Sequence, residues 1–484
     1  MYRSHVVTFA LLGLFLLVVA IGSWASSRTH NASDFLVANR RLGGWLTAFG
    51  YLGSATNGWS VLLISAAAFV LGLSAVWVWA AFLFGTLLST MLIAPKLRAI
   101  GAGQGTVTLT QLISADTGDR LQPLITRSAL LIGTIFLLLQ VVVLLRAGAD
   151  LLSVDSGFDP ARTIVTTTFV IVGCVLVGGL RAASLCDAVQ VTAISIAALL
   201  LPIPALVALG GWDAVGPALA ALGPQASDWF AGRSGVVALA LSTGAFGLGL
   251  AIPGQPHAMA RFFAVRDGSA LNGARLIALA WSVIVLGAVL ICGWCARLLY
   301  DGLQRPELAL HALAARLLPP SLGALFTTTL FAAIVFSIAS PLLALATQLS
   351  VEIRRAILPL SLPWSRFALV IVALVSVFVA IAVSIDGYRH GFLAFSVLGA
   401  AFGPLVVVRL SGKRVRPGSL LGAMWTGAIL TLLFHALPDS PGDFLERVLP
   451  FVTALGIALS GGERRRNPDR ADRSEETVHD RVPI

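Results

Sequence analysis

Charge is what this chain has least of. Of 484 residues only 12% are Asp, Glu, Lys or Arg and 57% are hydrophobic, where a soluble domain carries about 25% charged residues. A chain this poor in charge cannot face water over most of its surface, which excludes a soluble globular protein. Acidic residues are the scarcer sign, 23 against 33 Lys and Arg, for a net charge of +10. In a soluble protein that excess would suggest nucleic acid or another anionic partner; its distribution along the chain gives a different answer below. Histidines (7) and cysteines (4) are few and scattered. There is no H-E-x-x-H, no G-x-S-x-G, no pair of intramembrane aspartates and no histidine cluster, so nothing supports an enzyme. Cys292-Gly-Trp-Cys295 shares only its spacing with a redox pair. With Cys174 and Cys186 it reads as packing thiols in apolar helices.

What the chain does have is apolar runs. A bilayer core of about 30 Å takes about 20 helical residues at 1.5 Å each. Runs of that size predict thirteen spans, at 6–24, 44–70, 75–95, 128–149, 163–180, 187–209, 234–256, 276–298, 321–349, 367–385, 391–408, 418–436 and 447–461. The first lacks an A-x-A cleavage pattern and reads as a helix rather than a signal peptide. With the N-terminus outside and the C-terminus cytoplasmic, Lys and Arg divide 24 inside and 8 outside, with Arg146 within a span. The inside set includes Arg28, Arg40, Arg41, Lys96, Arg98 and the Arg464 to Arg466 run. The basic excess is therefore topological, and no nucleic-acid partner is expected. The tail after about Gly462 is short and charged, with no room for a further domain.

Two spans look interrupted. The second carries Gly50-Tyr-Leu-Gly53-Ser54-Ala55-Thr56-Asn57-Gly58-Trp59-Ser60 through its middle. The seventh carries Gly244-Ala-Phe-Gly247-Leu248-Gly249 and closes on Pro253-Gly-Gln-Pro256-His257. In a membrane, broken helices are tolerated where they face protein or a water-filled cavity. Breaks five spans apart are what two inverted five-helix repeats predict, with solute and ion held near the midplane. Glycines that merely let helices pack closely are the alternative. The expected division is 1–43, an extra helix and cytoplasmic loop; 44–232, the first repeat and an outer loop; 233–410, the second repeat; 411–462, two further helices; and 463–484, the tail. In the ninth span Ser337 and Ser340 share a face, and Pro341 removes a backbone N–H and frees a carbonyl, a set of oxygens suited to a hard cation. Asp187, at the cytoplasmic mouth of span six, is a functional candidate because carboxylates near spans are costly.

The run Gly254-Gln-Pro-His257-Ala-Met-Ala-Arg261-Phe262 resembles the G-Q-P-H-x-x-A-R-F stretch of the sodium/solute symporter family, nearest its sodium/proline branch. Asp34-Phe-Leu-Val-Ala-Asn-Arg40-Arg41-Leu-Gly43, and Val177-Gly-Gly-Leu180 followed by Asp187-Ala-Val-Gln190, are similar to further family patterns in the same order. The resemblance covers about residues 30 to 360. It implies an all-α, leucine-transporter-type fold and alternating access, with symport of Na⁺ and a small organic solute, plausibly proline or another amino acid, across the cytoplasmic membrane. No cofactor is implied beyond Na⁺, or H⁺ in its place; the expected partners are that ion, the solute and the bilayer.

Carried over by position, the resemblance places Na⁺ at the carbonyls of Gly53, Thr56 and Ser337 and the hydroxyl of Ser340, with Asp187 concerned in ion passage and Arg40 in coupling. Two positions depart from the family: Pro341 stands where a hydroxyl residue is expected, and Ala55 where the proline branch carries an aspartate. Asn57 stands at a serine position and, with Gly58 and Trp59, is expected at the solute. Leu248 and Ile252 replace aromatic residues of the proline site, and Pro256 is retained. Proton-coupled or uncoupled transport, and a solute sensor acting with a separate partner, are the alternatives.

Overall fold

The computed structural model describes residues 2–463 apart from Asn57, Asp119, Asp301, 356–360, Ser384, Asp386 and Asp439. Asn57, expected at the solute, and the tail 464–484 lie outside the described residues. The chain is built of helices; the β pairing among described residues is a two-residue antiparallel pair, Arg414–Val415 with Gly462–Glu463, and a bridge between Leu42 and Val265.

Ten described stretches are long and apolar enough to cross a membrane: Thr8–Ser26, Gly58–Gln104, Gln122–Ser153, Pro160–Ala208, Gly235–Gly254, Gly268–Leu299, Pro320–Ile353, Leu362–Ala382, Arg389–Leu410 and Pro417–His435. The difference from thirteen has three sources. The expected second and third spans run together in the 47 residues of Gly58–Gln104, and the fifth and sixth in the 49 of Pro160–Ala208. The last helix, Leu449–Ser460, has 12 residues, fewer than the roughly 20 a crossing takes.

The breaks are where the fold departs from regular helices. The second span divides into Gly44–Ala55 and Gly58–Leu71, with Thr56 turned out of the helical region at φ −122, ψ 60. The seventh breaks later than its glycines suggested. Gly235–Ala251 is continuous, and the interruption is the 3₁₀ turn Ile252–Gly254 before the helix Pro256–Ala264. Gly244, Gly247 and Gly249 remain helical and admit close neighbours, the Gly442 carbonyl, Arg447 and the Ala81 carbonyl. In this span the packing explanation holds for the glycines, and proline and the 3₁₀ turn make the break. The ninth span divides into Pro320–Ser337 and Ala339–Arg355; the Ser337 carbonyl would bond the N–H of residue 341, which proline lacks.

A fourth break was not foreseen. Within the helix Pro160–Leu200, Gly179 adopts φ 54, ψ −138, a conformation close to glycine-only, and redirects the chain. The short helix Ala32–Val37, capped by Asn31, packs onto it, and Arg181 donates to the carbonyls of Arg28 and Ala38. Gly179→Ala forces this backbone onto an L-residue and brings the new methyl into the Phe35 carbonyl and within 2.7 Å of Phe35 Cα. Backbone strain and overpacking together are expected to remove about 3 kcal/mol of stability, read as a lowered melting temperature of the detergent-purified protein.

Candidate functional site

The breaks in the second and seventh spans and the redirected helix after Gly179 place four helices around one buried polar cluster. Asp187, eight residues past Gly179, is 0% exposed. It lies within its helix, well away from the water-facing mouth the sequence suggested. A carboxylate in that position must be paired, because desolvating a lone charge costs several kcal/mol. Its Oδ2 accepts from the Arg261 guanidinium at 2.5 Å, from Ser340 Oγ at 2.8 Å and from Ser54 Oγ at 3.2 Å. Arg261, 1% exposed, also donates to Ser340 Oγ and, at 3.0 Å, to the carbonyl of His257. His257 Nε2 meets the Ser54 carbonyl at 3.1 Å, and Gln190 Nε2 donates to the Gly53 carbonyl at 3.3 Å. Several buried atoms of the cluster have no protein partner: Asp187 Oδ1, Gln190 Oε1, Ser184 Oγ, His257 Nδ1 and Arg261 Nε. Buried polar atoms are nearly always satisfied, so such a concentration marks a place that can take up water, an ion or a ligand.

Gly53 brings the second span against this cluster. A Cβ there would lie 2.6 Å from Asp187 Cβ and 2.9 Å from its Cα. One turn further on, Gly58 N–H donates to Ser337 Oγ at 3.1 Å, and a Cβ on Gly58 would lie 3.0 Å from Ile334 N. The break of the second span thus abuts the break of the ninth. Both hydroxyls at this junction turn back on their own helices, Thr56 Oγ1 to the Leu52 carbonyl at 2.7 Å and Ser337 Oγ to the Ala333 carbonyl at 2.8 Å. Of the residues expected at the ion, Gly53, Ser340 and Asp187 are in contact, and Ser337 meets the second span at Gly58, two residues past Thr56.

The residues expected at the solute divide. Trp59 stands at the start of the helix after the second-span break, its ring edge-on to Phe392 at 4.7 Å and 77°. The Arg447 guanidinium lies over the same Phe392 ring at 4.4 Å and pairs with Asp443. Leu248 is buried within the seventh span, and Ile252 opens the 3₁₀ turn, its side chain against Gly85. Gln255, at the end of that turn, donates to the carbonyls of Ala251 at 3.1 Å and Phe395 at 2.9 Å, and accepts from Gln140 at 2.9 Å. Pro256 is apart from these: it lines a pocket with Leu36, Thr108, Thr347, Gln348 and Arg261. Arg40 is also apart, in a turn where Ala38, Asn39 and Arg40 all have φ near +50. Beyond that turn Leu42 N–H donates to the Ala264 carbonyl at 3.1 Å. Partial burial holds the Arg40 guanidinium below its usual pKa.

Sequence reasoning counted Arg261 among the cytoplasmic Lys and Arg residues, whereas it is buried against Asp187, and left Ser54, Gln190, Phe392 and Arg447 without a role. Arg261 stood inside the quoted motif, and a cation among Met259, Phe262 and Phe263 was a signal that it needed a buried partner. Nothing local named that partner, because Asp187 is 74 residues away.

Comparisons with known proteins agree on what this arrangement belongs to. The family model described as "Sodium:solute symporter family" matches residues 35–429. The osmoregulated proline transporter OpuE of Bacillus subtilis is 29% identical over 465 residues, 92% of each chain. A sodium/proline symporter of Staphylococcus aureus is 26% identical over 437 residues, 87% of this chain and 84% of that one. Among solved structures, a substrate-bound, outward-open Na⁺-coupled sialic acid symporter superposes with a TM-score of 0.79 at 16% identity, covering 96% of this chain and 99% of its own. MHP1, a nucleobase-cation-symport-1 family transporter in a closed conformation, gives 0.53 at 16% identity, covering 89% and 94%. The likeness to these two establishes the leucine-transporter-type fold for this chain, the architecture of two inverted five-helix repeats.

Proposed function

Since this chain belongs to the sodium:solute symporter family, matched over residues 35–429, we propose that it couples the inward movement of Na⁺ to that of a small organic solute, proline first among the candidates, by alternating access. The single observation that carries this reading is the buried oxygen cluster beside the break of the second span: Asp187 in direct contact with Ser340 and packed against Gly53, while Gly58 N–H across that break bonds Ser337 Oγ. Ala55 removes the carboxylate expected in the second span, and Asp187, packed against Gly53, supplies one from the sixth. Pro341 supplies no hydroxyl but leaves the Ser337 carbonyl without a helical donor. Trp59 borders the solute, with Leu248 and Ile252 as an aliphatic wall. Ion and solute each raise the other's affinity for one state of the carrier, and that mutual preference is the coupling.

The relatives named for proline transport support proline. The protein acts in the cytoplasmic membrane with its N-terminus outside and its C-terminus in the cytoplasm, the orientation that leaves 24 of the Lys and Arg residues inside. The test is uptake of labelled amino acids, proline included, into proteoliposomes under an inward Na⁺ gradient, an inward H⁺ gradient or neither. Accumulation of proline above equilibrium with Na⁺ alone is the expected result. Accumulation with H⁺ alone would transfer the ionic role to a proton on Asp187, a second reading favoured by the unpartnered Asp187 Oδ1; no movement of any solute would favour a sensor.

A further inference from the structure

In the symport scheme the one cation of the buried cluster, Arg261, has no part. It sits on the helix Pro256–Ala264 and reaches across to the two side chains proposed to take the ion, Asp187 and Ser340. Guanidinium and Na⁺ are both monovalent cations that seek the same oxygens. One is tethered to the protein and the other is cargo. Held together against a single carboxylate about 5 Å apart, they repel strongly enough, at an effective dielectric near 20, to weaken ion binding by roughly 100-fold. With neither present, Asp187 is an unpaired carboxylate with no exposure to water, the costliest state of the three.

We propose that Arg261 is a tethered counter-cation. It neutralises Asp187 in the ion-free carrier, gives up Asp187 and Ser340 as Na⁺ arrives, and takes them back as Na⁺ leaves. The inference rests on the Na⁺-symport reading and adds to it the residue that occupies the ion's place between cycles. The unpartnered Nε of Arg261 and Oδ1 of Asp187 fit a pair whose contact is partial and exchangeable. Arg261 keeps a bond to the His257 carbonyl of its own helix, which anchors the side chain while its other partners change. The step that depends most on Arg261 is the return of the empty carrier, because only there does Asp187 lack Na⁺. The loaded carrier brings its own cation.

The experiment compares two fluxes of labelled proline in proteoliposomes: net Na⁺-driven uptake, which needs the empty carrier to return, and proline–proline exchange at saturating Na⁺ on both sides, which does not. In R261Q, net uptake is expected to fall at least 10-fold more than exchange, and the half-saturating Na⁺ concentration for exchange to fall at least 10-fold, since the competing cation is gone. R261K keeps the charge without the fork, protects the fold if glutamine does not, and shifts both quantities in the same direction by less. The double variant D187N/R261Q, in which neither charge remains, no longer responds to Na⁺ but carries more proline down its own gradient in the absence of Na⁺ than R261Q does. Equal losses of exchange and net uptake, or an unchanged or raised Na⁺ requirement, would make Arg261 a structural residue and overturn the proposal. A wild type with proline exchange but no response to Na⁺ overturns the symport reading, and this inference with it.

Discussion

Asp187→Asn is expected to lower the stability of the protein by about 3–5 kcal/mol and to abolish ion-driven uptake. The substitution is nearly isosteric, so the effect comes from charge alone. Arg261 is 1% exposed and is held by Asp187 at 2.5 Å. Asparagine leaves that guanidinium buried without a counter-charge, and breaking one side of a buried pair costs in this range. Removing both charges is far milder, so D187N/R261Q should recover most of the lost melting temperature while remaining unresponsive to Na⁺. The melting curves of the three proteins in detergent decide the matter. A single variant that melts like the wild type would mean that Arg261 has another partner, and the cluster would have to be redrawn.

Gly53→Ala should weaken Na⁺ dependence about 10- to 100-fold with little change in the amount of folded protein. The new methyl would stand 2.6 Å from Asp187 Cβ and 2.9 Å from its Cα. The Cα cannot turn aside as a side-chain tip would, so the helices carrying Gly53 and Asp187 must separate. Overpacking of this kind costs about 1–3 kcal/mol, which as a binding free energy is roughly tenfold for each 1.4 kcal/mol. The strain falls on the ion-bearing junction, so the half-saturating Na⁺ concentration for uptake is the quantity to measure. Gly103→Ala is the control, because a Cβ there meets nothing within 4 Å. A Gly53 variant with the same Na⁺ dependence as that control would remove this face of the second span from the site.

Much of the site could be read from residue order. The concentration of small and hydroxyl residues from Gly50 to Ser60 marked a helix that breaks, and the helix does break, at Thr56. Pro341 marked a freed carbonyl in the ninth span by the simple chemistry of a missing N–H, and that span divides just before it. His257, quoted within the motif that carries the resemblance, meets the Ser54 carbonyl with its ring, a contact residue order did not name. The seventh span misled because glycine has two uses in a membrane, breaking a helix and admitting a neighbour. Sequence does not distinguish them until the neighbour is known: the Gly442 carbonyl at Gly244 and the Ala81 carbonyl at Gly249. Gly179 was quoted in a motif and its break missed, since a single glycine in an apolar run carries no local sign of φ.

By itself, then, the sequence determined what depends on composition and on short-range geometry: a membrane protein of many helices, its family, and the approximate places where its helices yield. Those properties follow from transfer of side chains into hydrocarbon and from which residues can donate a backbone hydrogen bond, both of which are local. Only the tertiary structure decided that Asp187 is buried, that Arg261 is its partner across 74 residues, and that Ser340 joins both. The reason is electrostatic. A charge in a low-dielectric interior must be matched within a few ångströms in space, and distance along the chain says nothing about which opposite charge the fold will bring there.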